Sequence, residues 1–291
     1  MPKLVWLNGQ ITPLESAVTT VADHAHLYGD GLFEGIRMYK HRVWKLDEHL
    51  DRLYHGIKFF GYEMSMSPKD LRATILDVCS QADISDGYIR LNVTRGTGLG
   101  LDPQGMDRRA NVMIMVSTLT LYTPEAYEMG LSVVTSSIRV IPADSLDPRL
   151  KCIGRYAANI LAKQEGNRMG AGEALMLNYQ GQIAECTGDN IFLIERGIVR
   201  TPHPSCGILR GVTRDTVIAI AKDAGYHVEE TILTPYDVFS ADEAFLTGTA
   251  AEVIPMISLD GKKIGCGVPG PITQDLMGRF RVLTNTTGAP F

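Results

Sequence analysis

The chain has 291 residues, 45% of them hydrophobic and 21% charged, with 28 Lys and Arg against 33 Asp and Glu for a formal net charge of −5. That balance supports a globular core in one large or two smaller domains, and its acidic sign argues against nucleic acid or an anionic membrane surface as main partner. No apolar run is long enough to span a bilayer, and five scattered cysteines (Cys79, Cys152, Cys186, Cys206, Cys266) without C-x-x-C spacing exclude a disulfide framework and a cysteine zinc site.

The first residues, MPKLVWLNGQITPLE, lack the apolar stretch of a signal peptide, so a reducing cytoplasm is the expected location. They read as two strands, 3–8 and 10–13, split at Asn8-Gly9, a strong hairpin signal. Residues 47–61 form an amphipathic helix with Leu50, Leu53, Tyr54, Ile57 and Phe60 on one face and Gly61 as its stop. Residues 67–82 form a second, with Ser67 as N-cap, Pro68 in first position and Asp70 completing a capping box. Strands follow at 87–96 and 110–120, around a glycine-rich loop that lacks the G-x-G-x-x-G spacing and following helix of a nucleotide site.

The strand pattern fails over 119–128, which we read as a linker between a small N-terminal domain, 1–118, and a larger C-terminal one, 129–291. Beyond it, strands are expected at 131–140, 173–178, 183–187, 190–195 and 198–202. Helices are expected at 154–166 and 213–224, with Gly225 ending the latter. Helices do not alternate regularly with strands. The fold class is therefore α/β in the α+β sense, in two domains, rather than one doubly wound sheet.

The helix at 154–166 is read as a buried one, with Tyr156, Ala157, Ile160, Leu161 and Gln164 on its inward face, and two lysines flank its start and end. Lys163 falls in its last turn, where a cation complements the helix dipole. Lys151 precedes the helix, next to Cys152-Ile153. A lysine at the mouth of an apolar site is desolvated, which lowers its pKa and frees the amine as a nucleophile. Glu185 ends a strand before a Thr187-Gly188 turn, a position that suits either a turn cap or a charged partner. Gly211-Val212-Thr213 open a helix, and the reading there is either an ordinary threonine cap or an anion cradle of free N–H groups. Thr247-Gly248-Thr249-Ala250 can curl into a second nest of N–H groups. His24 and His26 lack a third ligand, so no metal site is expected. Met64, Met66, Met113 and Met115 read as core or pocket lining. A reactive lysine, a carboxylate and two anion cradles are what pyridoxal phosphate requires: a Schiff-base amine, an acid for the pyridine nitrogen and donors for the phosphate.

Seven segments carry a resemblance: YGDGLFEGIRMY (28–39), HLDRL (49–53), GYIRLNVTRGTGLGLDP (87–103), LDPRLKCIGRYAANILAKQE (146–165), AECTGDNIF (184–192), LRGVTRD (209–215) and FLTGTAAEV (245–253). Over nearly the whole chain they resemble the fold-type IV pyridoxal-phosphate enzymes (D-amino acid aminotransferase-like architecture), and among them the branched-chain amino acid aminotransferases. The resemblance implies that pyridoxal 5'-phosphate binds between the domains, with Lys151 as the catalytic Schiff-base residue. It implies Glu185 on the pyridine nitrogen, Tyr156 on the phenolic oxygen, and Arg52, Gly211, Val212, Thr213, Gly248 and Thr249 around the phosphate. It places Tyr28, Phe33, Arg37, Tyr88 and Arg90 in the substrate pocket, with the Thr249-Ala250 backbone sharing the α-carboxylate with Tyr88.

The implied reaction moves an amino group between leucine, isoleucine or valine and 2-oxoglutarate. The implied assembly is a homodimer or higher oligomer in which the loop Gly96–Asp102 helps close a neighbour's site. D-amino acid aminotransferase, (R)-amine transaminase, aminodeoxychorismate lyase and a non-catalytic cofactor-binding protein are the alternatives. Three positions depart from the family pattern: Arg155, expected to point away from the ring; Cys186, after Glu185; and Arg210, before the cradle. Arg52 also fits a helix wheel poorly, since it lies opposite Leu50 and Leu53 on the face one would call solvated.

Overall fold

The computed structural model describes residues 4–106 and 109–291. Lys3, where the first predicted strand begins, and Asp107 and Arg108 of the glycine-rich loop lie outside them. The architecture is of the α/β, α+β kind and divides into two compact units. The first takes the chain up to Leu119 together with Leu150–Arg155 and Thr284–Phe291; the second takes Thr120–Arg149 and Tyr156–Leu283. The first boundary adjoins the predicted linker. The lysine segment and the C-terminus, however, group with the first unit, where the sequence reading had assigned them to the C-terminal domain.

The first unit is built on an antiparallel sheet of β1 (Leu4–Leu7), β2 (Gln10–Thr12), β3 (Gly31–Tyr39), β4 (Arg42–Val43), β5 (Gly87–Thr94), β6 (Asn111–Ser117) and the C-terminal strand Ala289–Pro290. Their order is C-terminal strand, β4, β3, β5, β6, β1, β2. Asn8 and Gly9 join β1 to β2 with φ of 47° and 100°, as the hairpin signal required. β5 and β6 alternate buried and half-buried residues along their length, so the sheet has one dry face. Leu32, Ile36, Ile89, Leu91, Ile114 and Val116 fill it. Helices α2 (Leu46–Phe60) and α3 (Pro68–Ala82) contribute Leu50, Leu53, Ile57, Leu71 and Ile75, each buried side chain stabilising by about 1.5–3 kcal/mol. Gly61 ends α2 in the left-handed region with φ of 67°, and Ser67 and Asp70 close the expected capping box ahead of α3. A short helix, α1 (His24–Tyr28), precedes β3.

The other face of the sheet carries Phe33, Gly35, Arg37, Tyr88 and Arg90. Its register sets Phe33 opposite Asn92, Gly35 opposite Arg90 and Arg37 opposite Tyr88. Gly35 is required here: a Cβ on it would lie 2.0 Å from the Tyr88 hydroxyl, which occupies that space.

The second unit opens with α4 (Pro124–Met129), which overlaps the segment read as a linker; Tyr122, Ala126 and Tyr127 pack on this unit's core. Its sheet comprises β7 (Leu131–Thr135), β8 (Glu173–Leu177), β9 (Ile183–Cys186), β10 (Asn190–Glu195), β11 (Ile198–Pro202), β12 (Val228–Thr231), β13 (Glu243–Gly248), β14 (Glu252–Leu259) and β15 (Lys262–Lys263). The order is β12, β11, β10, β13, β14, β7, β8, β9, with β15 on β14. β8 and β9 are buried at every residue because apolar layers cover both faces. Helices α5 (Tyr156–Arg168), α6 (Val212–Asp223), α7 (Pro235–Ser240) and α8 (Pro271–Thr286) complete the elements.

The buried stripe of α5 is Ala162 and Gly166, whereas Ile160 and Leu161, which the wheel turned inward, are 59% and 51% exposed. Close approach explains the difference. A Cβ on Gly166 would stand 3.4 Å from that of Ala174 on β8, a spacing that admits only small residues. No helix among the described residues is long and apolar enough to cross a membrane.

Candidate active site

Lys151 is stitched to the start of β3. Its carbonyl accepts from Phe33 N at 3.0 Å, and Cys152 bridges Leu32. Gly154 N donates to Gly29 O at 3.0 Å, and a Cβ on Gly29, whose φ is +71°, would strike Gly154 Cα at 2.6 Å. With the backbone fixed on both sides, the Lys151 amine stands 4.9 Å from the centre of the Phe33 ring. The Arg90 guanidinium lies 4.5 Å from the same centre and 5.9 Å from that of Tyr88. One aromatic ring thus has an amine and a guanidinium as neighbours. Arg37, across from Tyr88, donates to Leu119 O at 3.4 Å. Tyr28 is 46% exposed, and its hydroxyl accepts from Gly100 N at 3.2 Å.

Arg52 does sit opposite Leu50 and Leu53, yet its side chain is only 15% exposed. Its Nε and Nη2 fork onto Glu34 Oε1 and Oε2, both at 2.7 Å, and His49 Nδ1 lies 2.7 Å from Oε2. Burial alone would raise the Glu34 pKa, but Arg52 and then His49 outweigh it and bring the carboxyl down to about 2. Burial also lowers the pKa of His49 and so favours its neutral form. Two-point pairing fixes the plane of the guanidinium as well as its position. Arg155, expected to point away from the ring, is buried at 6% exposure.

In the second unit Glu185 is buried, and its Oε2 accepts from Asn190 Nδ2 at 3.1 Å and Leu209 N at 2.9 Å. Asn190 joins the parts. It also donates to Leu209 O at 3.0 Å, pairs with Thr247 in the β10–β13 register, and its Oδ1 occupies the space a Cβ on Gly211 would need, at 2.2 Å. Gly211 is the N-cap of α6 and no side chain caps it, so Thr213 does not serve as an ordinary threonine cap. Two buried hydroxyls, Thr213 Oγ1 and Thr247 Oγ1, find no hydrogen-bond partner among the described residues. Each such orphan costs about 1–3 kcal/mol unless a ligand meets it. β13 ends at Gly248, and Thr249 and Ala250 enter a turn whose Ala251 carbonyl accepts from Tyr127 Oη at 3.1 Å. Arg210 is exposed and pairs with Asp215 at 3.2 Å. Cys186 is buried, and burial pushes its thiol pKa well up.

Tyr156 opens α5. One turn on, Asn159 Nδ2 donates to Thr187 O at 2.8 Å. Lys163 follows, bonded to Gly172 O at 2.5 Å and Glu173 Oε1 at 2.9 Å. Buried Glu173 also accepts from Thr187 Oγ1 at 2.7 Å and Gly188 N at 3.2 Å. Lys163 is therefore an anchor for the turn after Glu185, and its ammonium is engaged.

The first unit gathers Tyr28, Phe33, Arg37, Arg52, Tyr88, Arg90 and Lys151; the second gathers Tyr156, Glu185, Gly211, Val212, Thr213, Gly248, Thr249 and Ala250. The residues fit pyridoxal phosphate. Orphaned hydroxyls beside an uncapped helix N-terminus suit a phosphate, and a buried carboxylate held by two donors suits a protonated ring nitrogen. The sequence reading omitted Glu34 and Asn190, and it named Thr247 only as part of a backbone nest. Asn190 and Thr247 lay inside quoted motifs, and Glu34 is tied to HLDRL only through the fold.

The family model described as amino-transferase class IV matches residues 31–259. A putative branched-chain-amino-acid aminotransferase of Methanocaldococcus jannaschii is 39% identical over 285 residues, 98% of this chain and 97% of its own. Among solved structures, the Escherichia coli branched-chain amino acid aminotransferase superposes with a TM-score of 0.95 at 32% identity, covering 99% of this chain and 96% of that one. A branched-chain amino acid aminotransferase from T.th., complexed with N-(5'-phosphopyridoxyl)-L-glutamate, gives 0.92 at 35%, covering 98% and 95%.

Proposed function

The chain belongs to the amino-transferase class IV family of fold-type IV enzymes, and on that premise we propose that it transfers the amino group between leucine, isoleucine or valine and 2-oxoglutarate, with pyridoxal 5'-phosphate as cofactor. The observation that carries the substrate reading is the Phe33 ring with the Lys151 amine at 4.9 Å and the Arg90 guanidinium at 4.5 Å. Such a pocket has an apolar wall for an aliphatic side chain and a cation for a second carboxylate, as the two half-reactions demand. In the T.th. relative the bound adduct carries glutamate, in line with this reading.

When bound, the cofactor supplies a ring that accepts the electron pair left as the α-proton departs. Lys151 Nζ would hold the cofactor, and the same amine would take the α-proton and later return it, acting as base and then acid. Glu185 keeps a proton on the ring nitrogen, and Asn190 and Leu209 keep Glu185 in place. Tyr156 bonds the phenolic oxygen. Arg52, Gly211, Val212, Thr213, Gly248 and Thr249 hold the phosphate. Tyr28, Phe33 and Tyr156 form the apolar walls, and Arg90 meets the distal carboxylate of glutamate. Tyr88 and the Thr249-Ala250 backbone serve the α-carboxylate, and Arg37 lines the substrate pocket across from Tyr88.

The enzyme works in the cytoplasm as a homodimer or higher oligomer, in which the loop Gly96–Asp102 covers a neighbour's site. Leu99 and Leu101 on that loop are 80% and 78% exposed, which suits burial against a second copy. Full activity of a monomer in dilute solution would rule the oligomer out. The substrate reading is tested by a panel of amino donors in both enantiomers against 2-oxoglutarate. Leucine, isoleucine and valine of the L series should lead, and a preference for D-alanine would overturn it.

A further inference from the structure

The ring of His24 meets two acceptors. Nδ1 lies 2.7 Å from Asp30 Oδ2 and Nε2 lies 2.9 Å from the carbonyl oxygen of Gly100, with the residue only 4% exposed. A neutral imidazole has one N–H and one lone pair, so it bonds one of these oxygens and must aim its lone pair at the other. A flipped ring sets C–H groups against both, which is worse. Asp30 does not supply the missing hydrogen. It accepts from Arg95 Nε at 2.5 Å, Arg95 Nη2 at 3.3 Å and Tyr62 Oη at 2.7 Å. Burial would raise its pKa, but these donors hold it below the usual carboxylate value, so it is ionised. A carbonyl oxygen cannot donate. Both contacts together require a hydrogen on each ring nitrogen.

The peptide of Gly100 is held from both sides. His24 takes its carbonyl, and its N–H donates to Tyr28 Oη at 3.2 Å, the Tyr28 ring standing edge-on to His24 at 4.7 Å between centroids. Because that hydroxyl accepts from Gly100, its own hydrogen is directed elsewhere. The base of the loop is tied by backbone bonds that ignore the ring's charge: His24 N to Gly96 O at 2.9 Å and Gly98 N to Ala22 O at 3.0 Å.

We propose that His24 is a positioning residue that works as an imidazolium: doubly protonated, it fixes the Gly98–Leu101 tip of the glycine-rich loop and, through Gly100, the Tyr28 hydroxyl, and it releases both on losing a proton. On deprotonation the charge-assisted Nδ1–H bond to Asp30 is the one retained, and the Nε2 lone pair is left facing the Gly100 oxygen. The charged and titratable groups around it are Asp30 and Arg95, Tyr62 beyond α2, Cys152 of the lysine segment beside Asp30, and Asp23 and Tyr28 on its own helix. Asp23 is occupied by Thr94 Oγ1 and Asn111 Nδ2. The inference goes beyond the aminotransferase reading, since it needs neither cofactor nor turnover.

Two measurements on the purified full-length protein test it, from about pH 5.5 to about pH 9.5, a range that brackets histidine titration. In protein labelled with ¹⁵N-histidine, both ring nitrogens of His24 should carry hydrogens at the acid end. Hydrogen exchange of the Thr97–Met106 peptide, corrected for the intrinsic rate, should lose about tenfold or more in protection as the ring titrates. His24→Gln keeps a single uncharged donor, and its corrected protection should not change with pH. An unprotonated ring nitrogen at the acid end, or the same pH profile in His24→Gln, would overturn the proposal.

Discussion

Replacing Glu34 with glutamine removes a charge paired with Arg52 and puts an NH2 group where the wild type has only acceptors. Glu34 is 1% exposed at the side chain and Arg52 15%, so water does little to compensate. The carboxyl moves from an ordinary 4.5 to about 2 on folding, which at about 1.4 kcal/mol per unit amounts to roughly 3 kcal/mol. Breaking a buried ion pair from one side costs about 3–5 kcal/mol in other proteins, so the two routes agree in scale. The folded pKa lies below the unfolded one. The contribution is therefore present in full above about pH 4.5 and fades as pH falls toward about 2. Urea unfolding of wild type and Glu34→Gln, at several pH values, measures this directly. The stability difference should be about 3 kcal/mol near neutrality and shrink by about 1.4 kcal/mol per pH unit below about pH 4.5. A difference under about 0.5 kcal/mol, or one that does not vary with pH, would refute the anchoring of Arg52 by Glu34.

Lys151→Ala should abolish turnover and covalent cofactor attachment, read as the loss of a borohydride-fixed cofactor peptide. Lys163→Ala should retain both while losing about 1–3 kcal/mol of stability, because Glu173 is left buried with a partner missing. A fixed cofactor on the Lys163 peptide would reverse the assignment. Glu185→Gln should keep the cofactor but slow turnover by orders of magnitude, since a neutral ring nitrogen is a poorer electron sink; near-normal rates would make Glu185 a turn cap only. Arg90→Ala should weaken glutamate and 2-oxoglutarate by about 2–3 kcal/mol more than leucine in kcat/KM, and equal losses would assign Arg90 a structural task.

Local chemistry carried much of the fold. The Asn8-Gly9 hairpin, the Ser67–Asp70 cap, the Gly61 stop and the strand at 190–195 depend on neighbours in sequence, and each stands where periodicity placed it. β3 was not read as a strand. Gly31, Glu34, Gly35 and Arg37 interrupt its apolar alternation, and each has a reason visible only in three dimensions, such as room for Tyr88 or a fork for Arg52. The inward face of α5 was misread because close packing chose Ala162 and Gly166 over the larger Ile160 and Leu161. Candidate site residues were legible as motifs, but the groups that hold them lie 15 or more positions away in several cases: the Glu34 carboxylate for Arg52, the Leu209 backbone N–H for Glu185. Spacing along one sequence does not encode such pairings.

The C-terminal strand has a consequence for how the protein is made. Strand β4 sits at the rim of the first unit's sheet until Ala289 and Pro290 pair with Val43 and Arg42. Those two residues are translated about 170 positions after β6, so at about 5–20 residues per second the nascent sheet waits roughly 10–30 s for its last strand. Meanwhile a row of backbone donors and acceptors on β4 is open to any other chain on the same polysome. The left-handed turn at Lys40 and His41, with φ of 48° and 58°, leaves β4 only two residues long, and Arg42 adds a charge to it. Such a short, charged rim is a poor template for an intruding strand during that interval.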